Sequence, residues 1–112
     1  MANNIVCLIG SVKQKAEWLK ATQELTRRGW VVLDAGDYTT ENEKPKYVWD
    51  VITMVHRQKI EMASVIAYIP KPDGSIGEHT RADMNHALKF GKLVISIATL
   101  FEETFPPLEK SS

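Results

Sequence analysis

Between Lys71 and Phe90 the chain reads KPDGSIGEHTRADMNHALKF and gathers most of its residues capable of chemistry: the acids Glu78 and Asp83, the histidines His79 and His86, and the hydroxyls of Ser75 and Thr80. A carboxylate near the start of a helix, beside a ligand held by a glycine-bearing loop, can act as a nucleophile or stabilise a cationic transition state. Asp83 is the candidate for that role, and Glu78 or His79 can move protons for it. The glycines of Gly74-Ser75-Ile76-Gly77 permit close approach of backbone to a ligand. Spacing supports a second reading of Asp83. Thr80-Arg81-Ala82-Asp83 fits a capping box, with Thr80 as N-cap, and Ser75-Ile76-Gly77-Glu78 fits the same box one step earlier. Both readings stay open at the level of sequence.

A second glycine–serine pair, Gly10–Ser11, follows the apolar run Ile5–Ile9. At a helix start such a pair offers free backbone N–H groups and the positive end of the dipole, a seat for phosphate or carboxylate. His56 and Lys59, spaced i and i+3, share one face near the end of a helix, where they complement its dipole and lie away from the ligand loop. Cys7 reads as a small buried hydrophobe. Three scattered histidines without paired acids predict no metal site. With no GxSxG, Walker or GxGxxG motif, no cofactor is expected.

The elements that must hold these residues alternate. Ile5–Ile9 is an unbroken apolar run, the pattern of a strand covered on both faces. A helix is predicted from Val12 to Arg28, opened by a Ser11/Gln14 capping box, with Ala16, Leu19, Ala21 and Leu25 inward and Gly29 at C′. Trp30–Leu33 is the second strand, and the polar loop Asp34–Lys44 follows. A second helix runs from Pro45 to Met62 on an apolar side of Val48, Val51, Ile52, Val55 and Ile60, with Trp49 at its edge or in a subunit contact. Ser64–Ile69 is a strand, Arg81–Phe90 a helix closed by Gly91, and Leu93–Ile97 a fourth strand. Residues 98–112 read as a tail, with a short element at Leu100–Phe105. Strand, loop, helix, strand without room for hairpins means parallel pairing. The order predicts a three-layer, flavodoxin- or Rossmann-like open parallel sheet of four to five strands, with ligands at the carboxyl ends of the strands.

The chain has 112 residues, room for one domain, and its 44% hydrophobic and 25% charged residues are those of a folded globular protein. Fourteen basic residues balance fourteen acidic ones, which argues against nucleic acid as a partner. The start, MANNIVCLIG, lacks the pattern of a signal peptide, and no apolar run approaches a membrane span. A cytoplasmic location without membrane contact is expected. So lean a sheet also predicts a homo-oligomer, a dimer or larger, that covers an edge or a helix face.

Four segments, VCLIGS, LTRRGWVVL, HRQKIEMASVIAYI and GSIGEHTRADMNHALKFGKLVI, together resemble the nucleoside 2-deoxyribosyltransferase-like superfamily over Ile5–Ile95. The last is the most specific: an acid, an alanine four residues later, and Gly-Lys eight residues later before a strand. The resemblance implies a small, divergent member that cleaves the N-glycosidic bond of a nucleoside or nucleotide, or transfers its deoxyribosyl group. By that resemblance Asp83 takes the place of a catalytic glutamate, Ser75, Gly77 and Thr80 that of the sugar- or phosphate-contacting loop, and Gly10 and Ser11 that of the first-strand loop. The chain departs from the pattern in four places, one of them the lack of the first-strand tyrosine that many members carry. Asp83 is a methylene shorter than glutamate, His56 stands where an assisting aspartate is expected, and Gly77 replaces a second acid. A non-catalytic protein binding a nucleotide or nucleotide signal in the same pocket is the alternative.

Overall fold

The computed structural model describes residues 3–103. Strands β1 (Ile5–Gly10), β2 (Val31–Leu33), β3 (Val65–Ile69) and β4 (Leu93–Ser96) alternate with helices α1 (Lys15–Arg27), α2 (Lys46–Met62), α3 (Glu78–Lys89) and α4 (Ile97–Glu103). The sheet is parallel throughout, in the order β2-β1-β3-β4, an open Rossmann-like α/β fold. It has four strands. The element expected at Leu100–Phe105 is the helix α4, whose start Ser96 caps by accepting the Thr99 N–H at 3.0 Å. Pro106–Pro107 and the rest of the expected tail lie outside the described residues.

β1 is the centre of the core because it is apolar on both faces. Val6 and Leu8 point to one side with Ala67 and Ile69 of β3, under Trp18, Ala21 and Leu25 of α1 and Leu100 of α4. Cys7 and Ile9 point to the other, with Ile66, Ile60 of α2 and Ala87 of α3. The alternation along each strand thus places α1 and α4 on one face and α2 and α3 on the opposite one. The outer strands are more open, with Val31 49% and Leu93 57% exposed.

Two helix ends follow the sequence closely. Gly29 and Gly91 take positive φ of 93° and 68°. Each closes a Schellman motif by donating three residues back, Gly29 to Thr26 and Gly91 to Leu88, both at 3.0 Å, while Trp30 and Lys92 reach five residues back to Leu25 and Ala87. The start of α1 differs from expectation. Ser11 caps a short 3-10 turn, Val12–Gln14, and the helix proper begins at Lys15 with no capping box from Gln14. Its inward stripe is Trp18, Ala21 and Leu25, whereas Ala16 and Leu19 face outward. Trp18 wins the inward position because its indole N–H has a partner there, the Ser11 carbonyl at 3.0 Å. Among the described residues no helix is long and apolar enough to cross a membrane.

Candidate functional site

The order of the strands reverses between β1 and β3: the chain leaves β1 for β2 on one side and β3 for β4 on the other. Loops that diverge from such a point open a crevice at the carboxyl edge of the sheet. A cavity of about 320 Å³ lies there. Its floor is the turn Gly10–Lys13 after β1. Its walls are the inner side of α2 and the start of α3, and residues of the Ala35–Asn42 loop close the remaining side. Gly10 is required by close approach: a Cβ there would sit 3.0 Å from the Ile69 carbonyl and 3.2 Å from the Ile69 Cβ.

The start of α3 corrects the capping-box reading of Asp83. The helix begins at Glu78 rather than Arg81, and Gly77 is its N-cap, with the Gly77 carbonyl accepting the Arg81 N–H at 2.9 Å. Thr80 is therefore inside the first turn, 4% exposed, and Asp83 lies in the second turn, beyond the free backbone N–H groups a cap would satisfy. An N-cap without a side chain leaves room for Lys71, whose Cε would stand 3.3 Å from any Cβ at Gly77. Released from the backbone, the Asp83 side chain turns into the cavity wall with 18% of its surface exposed. Its Oδ1 lies 3.5 Å from Nε of Arg57. Burial pushes its carboxyl above the ordinary range, against the opposing pull of His56 and Arg57.

His56 is the largest departure from the sequence reading, which set it apart from the ligand loop. It belongs to the cavity wall. Leu8 lies one residue past the last β1–β2 pair, Cys7↔Leu33, and its carbonyl meets His56 Nε2 at 2.9 Å. A carbonyl only accepts, so Nε2 carries the proton and Nδ1 is the bare nitrogen of a neutral ring. Burial lowers the pKa of His56, with the charge of Asp83 pulling the other way. Lys59 does related work at the same place, donating to the Asp34 carbonyl at 2.9 Å. The short β2 explains the Leu8 contact, since it ends before it can cover the top of β1, and His56 of α2 supplies the missing donor.

The mouth is aromatic and polar. Trp49 meets the His79 ring edge-on with centroids 5.2 Å apart, and the Lys44 ammonium lies over the indole at 5.1 Å. His79 Nε2 is 3.2 Å from Glu41 Oε1, which ties the start of α3 to the loop before α2. That loop holds its own shape: Asp37 Oδ1 accepts the Thr39 N–H at 2.9 Å, Glu43 Oε1 accepts the Thr40 N–H at 2.6 Å, and Lys44 donates to the Thr39 carbonyl. These contacts hold the Asp37 and Glu43 carboxyls below their usual range.

Of the residues singled out by sequence, Gly10, Ser11, Gly77, Glu78, His79, Thr80 and Asp83 all face this cavity. Ser75 does not. Its hydroxyl donates to Asp73 Oδ1 at 2.6 Å in an exposed turn. The Ser11 hydroxyl is likewise occupied, accepting the Lys13 N–H at 3.2 Å. Trp49 and Arg57 were missed, and His56 was brought near the site only by the resemblance and not by its spacing, although a signal for all three exists. Trp49, Ile52, Thr53, His56 and Arg57 fall at i, i+3, i+4, i+7 and i+8, one helical stripe of mixed polarity. A core stripe is apolar; one carrying indole, hydroxyl, imidazole and guanidinium faces a cavity. Comparison of the chain with protein-family models, with curated proteins and with solved structures finds no match.

Proposed function

We propose that this cavity binds a nucleoside or nucleotide and that Asp83 cleaves its N-glycosidic bond. The observation that carries the reading is the placement of Asp83, a largely buried carboxylate in the cavity wall with no backbone N–H to cap. In the proposed reaction an Asp83 oxygen bonds to the anomeric carbon while the carbon–nitrogen bond breaks. Its electron pair leaves with the base, which takes a proton from Glu78 or His79 at the mouth. Water or a second base then displaces the carboxylate from the sugar. The cavity suits a ligand of this size, and Trp49 and His79 offer ring surface to a base. Lys13, Arg57 and Lys71 surround it with positive charge that suits a phosphorylated sugar.

A second reading, binding without turnover, rests on the Arg57–Asp83 pair. A carboxylate already engaged by a guanidinium is a weaker nucleophile and a good acceptor for ligand hydroxyls. Incubation with a panel of deoxynucleosides, ribonucleosides and their 5′-monophosphates, followed by chromatography for free base, separates the two. The catalytic reading expects release that falls roughly 1,000-fold or more in Asp83→Ala. Saturable binding with no free base supports the second reading, and neither binding nor release across the panel overturns both.

A further inference from the structure

Two groups at the mouth can protonate a departing base, Glu78 and His79, and the geometry of α3 separates them. His79 and Asp83 stand at i and i+4, on one face of the helix with Cβ atoms ~5–6 Å apart. Glu78, five positions before Asp83, lies about 140° round the helix from it. Cleavage through a glycosyl intermediate uses a proton donor roughly 5–5.5 Å from the nucleophile, a separation of the same order as one helical turn. An imidazole changes charge near neutral pH, so it can give a proton there and take one back. The His79 ring is also held from two sides. Its Nε2 lies 3.2 Å from Glu41 Oε1, and Trp49 meets it edge-on at 5.2 Å. A carboxylate only accepts, so Nε2 carries a proton toward Glu41, and Nδ1 is the nitrogen left for a ligand. Glu41 has a fixed seat. It opens a short 3-10 turn, Glu41–Glu43, closed by the Thr40 and Glu43 capping box, and Lys44 beyond it donates to the Thr39 carbonyl. Trp49 reaches the mouth because the inner side of α2 is given to the cavity, which leaves Val51 and Val55, expected in the core, 54% and 43% exposed.

We propose that His79 is the acid that protonates the departing base and that Glu41 is its positioning residue, an inference that rests on Asp83 as the nucleophile. As the carbon–nitrogen bond breaks, its electron pair goes to the base, and the base takes the proton from Nδ1 of the imidazolium. The Nδ1–H bond leaves its pair on the ring, which becomes neutral, while Nε2–H stays on Glu41. In the second step water enters from the face that the base has left. Its oxygen bonds to the anomeric carbon, the Asp83 oxygen departs with its electron pair, and the water proton goes to Nδ1, restoring the imidazolium. Glu41 touches no reacting atom. It keeps one nitrogen occupied so that the other faces the ligand, which makes a residue of the loop before α2 part of a reaction carried out on α3.

Leaving-group chemistry tests this directly. Each deoxynucleoside or monophosphate that the wild-type chain cleaves is paired with a form whose base departs without a proton, N7-methyl for a purine or 5-nitro for a pyrimidine. His79→Asn is expected to slow release of the ordinary base roughly 100-fold or more, and release of the activated base by less than ~3-fold. Glu41→Ala should show the same selectivity with a smaller loss, and Glu41→Gln, whose amide oxygen still accepts from Nε2, should recover most of it. Asp83→Ala should lose both substrates alike. A variant that still turns over the activated substrate has an intact site, so misfolding cannot produce this pattern. Equal losses on the two substrates in His79→Asn, or no loss on either in the His79 and Glu41 variants, overturn the proposal and leave Asp83 as nucleophile. No release of any base by the wild-type chain overturns the reading of Asp83 and this inference with it.

Discussion

The two βαβ halves of this molecule have the same plan and use it for different ends. In each, a central strand runs into a turn, a helix leads back, and a glycine closes the helix before an edge strand. The turn after β1 uses up the polar groups of its serine. The Ser11 hydroxyl caps the turn, and the Ser11 carbonyl takes the indole N–H of Trp18, which is 1% exposed and meets Tyr38 edge-on at 5.7 Å. The second half spends Ser75 and His79 on neighbouring acids but leaves its carboxylate, Asp83, turned to the hollow. Gly77 caps α3 without a side chain, Thr80 is buried in the first turn, and Asp83 faces the cavity with only the long contact to Arg57. A loop that satisfies itself is a support, and a loop that leaves a carboxylate turned toward a hollow is the place to look for chemistry.

Substitution at the two key positions should therefore give opposite profiles. Trp18→Ala removes the largest buried side chain of the molecule together with its hydrogen bond, and should cost about 3–5 kcal/mol in urea unfolding. Asp83→Asn should do the reverse. A carboxyl whose pKa is raised by burial is more readily protonated folded than unfolded, so its ionised form at neutral pH weighs against the fold. Replacing it with a neutral amide should leave stability at or above wild type while abolishing any base release, the pattern of a residue kept for function. A large loss of stability in Asp83→Asn would assign the two halves the same structural role.

One glycine from each turn sharpens the contrast. Gly10→Ala drives a Cβ to 3.0 Å from a backbone carbonyl that has no freedom to retreat, because β1 and β3 pair there, Gly10↔Ile69. It should destabilise by about 1–3 kcal/mol. Gly77→Ala meets only the flexible end of Lys71 at 3.3 Å, with its backbone in the ordinary extended region. It should cost well under 1 kcal/mol and act instead on ligand affinity, which paired thermal melts and binding measurements distinguish.

The alternation of strands and helices, both glycine closures and the ligand edge of the sheet are legible in the sequence, since each depends on local patterns or on the handedness of crossovers. The start of α3 was not, because Ser75, Thr80 and Gly77 all offer caps within a few residues and only the path of the loop chooses among them. Ser75 was lost for the same reason: Asp73, two residues before it, competes for its hydroxyl. His56 was misplaced by its distance along α2 from the strand it serves. Nothing in local spacing reveals that β2 stops at Leu33 and leaves the Leu8 carbonyl for a side chain 48 residues away to cover.

That contact yields the smallest effect and the one that joins the two halves, because His56 touches β1 and responds to Asp83 of α3. Its pKa is lowered by burial from an ordinary value of 6.5. Lowering the pH through that value protonates the imidazole of the unfolded chain while the folded one stays neutral, so the unfolded state gains the proton and stability falls. Asp83 acts in the opposite sense at lower pH. Its raised pKa means that the folded state takes up a proton before the unfolded one as the pH falls into the carboxylate range, and stability recovers there. Thermal melts should therefore show a decline beginning near pH 6.5, shallower once Asp83 protonates. His56→Gln keeps a donor for the Leu8 carbonyl and cannot titrate, so it should flatten the upper part of that decline. An unchanged profile in His56→Gln would mean that the two halves are not coupled through this imidazole.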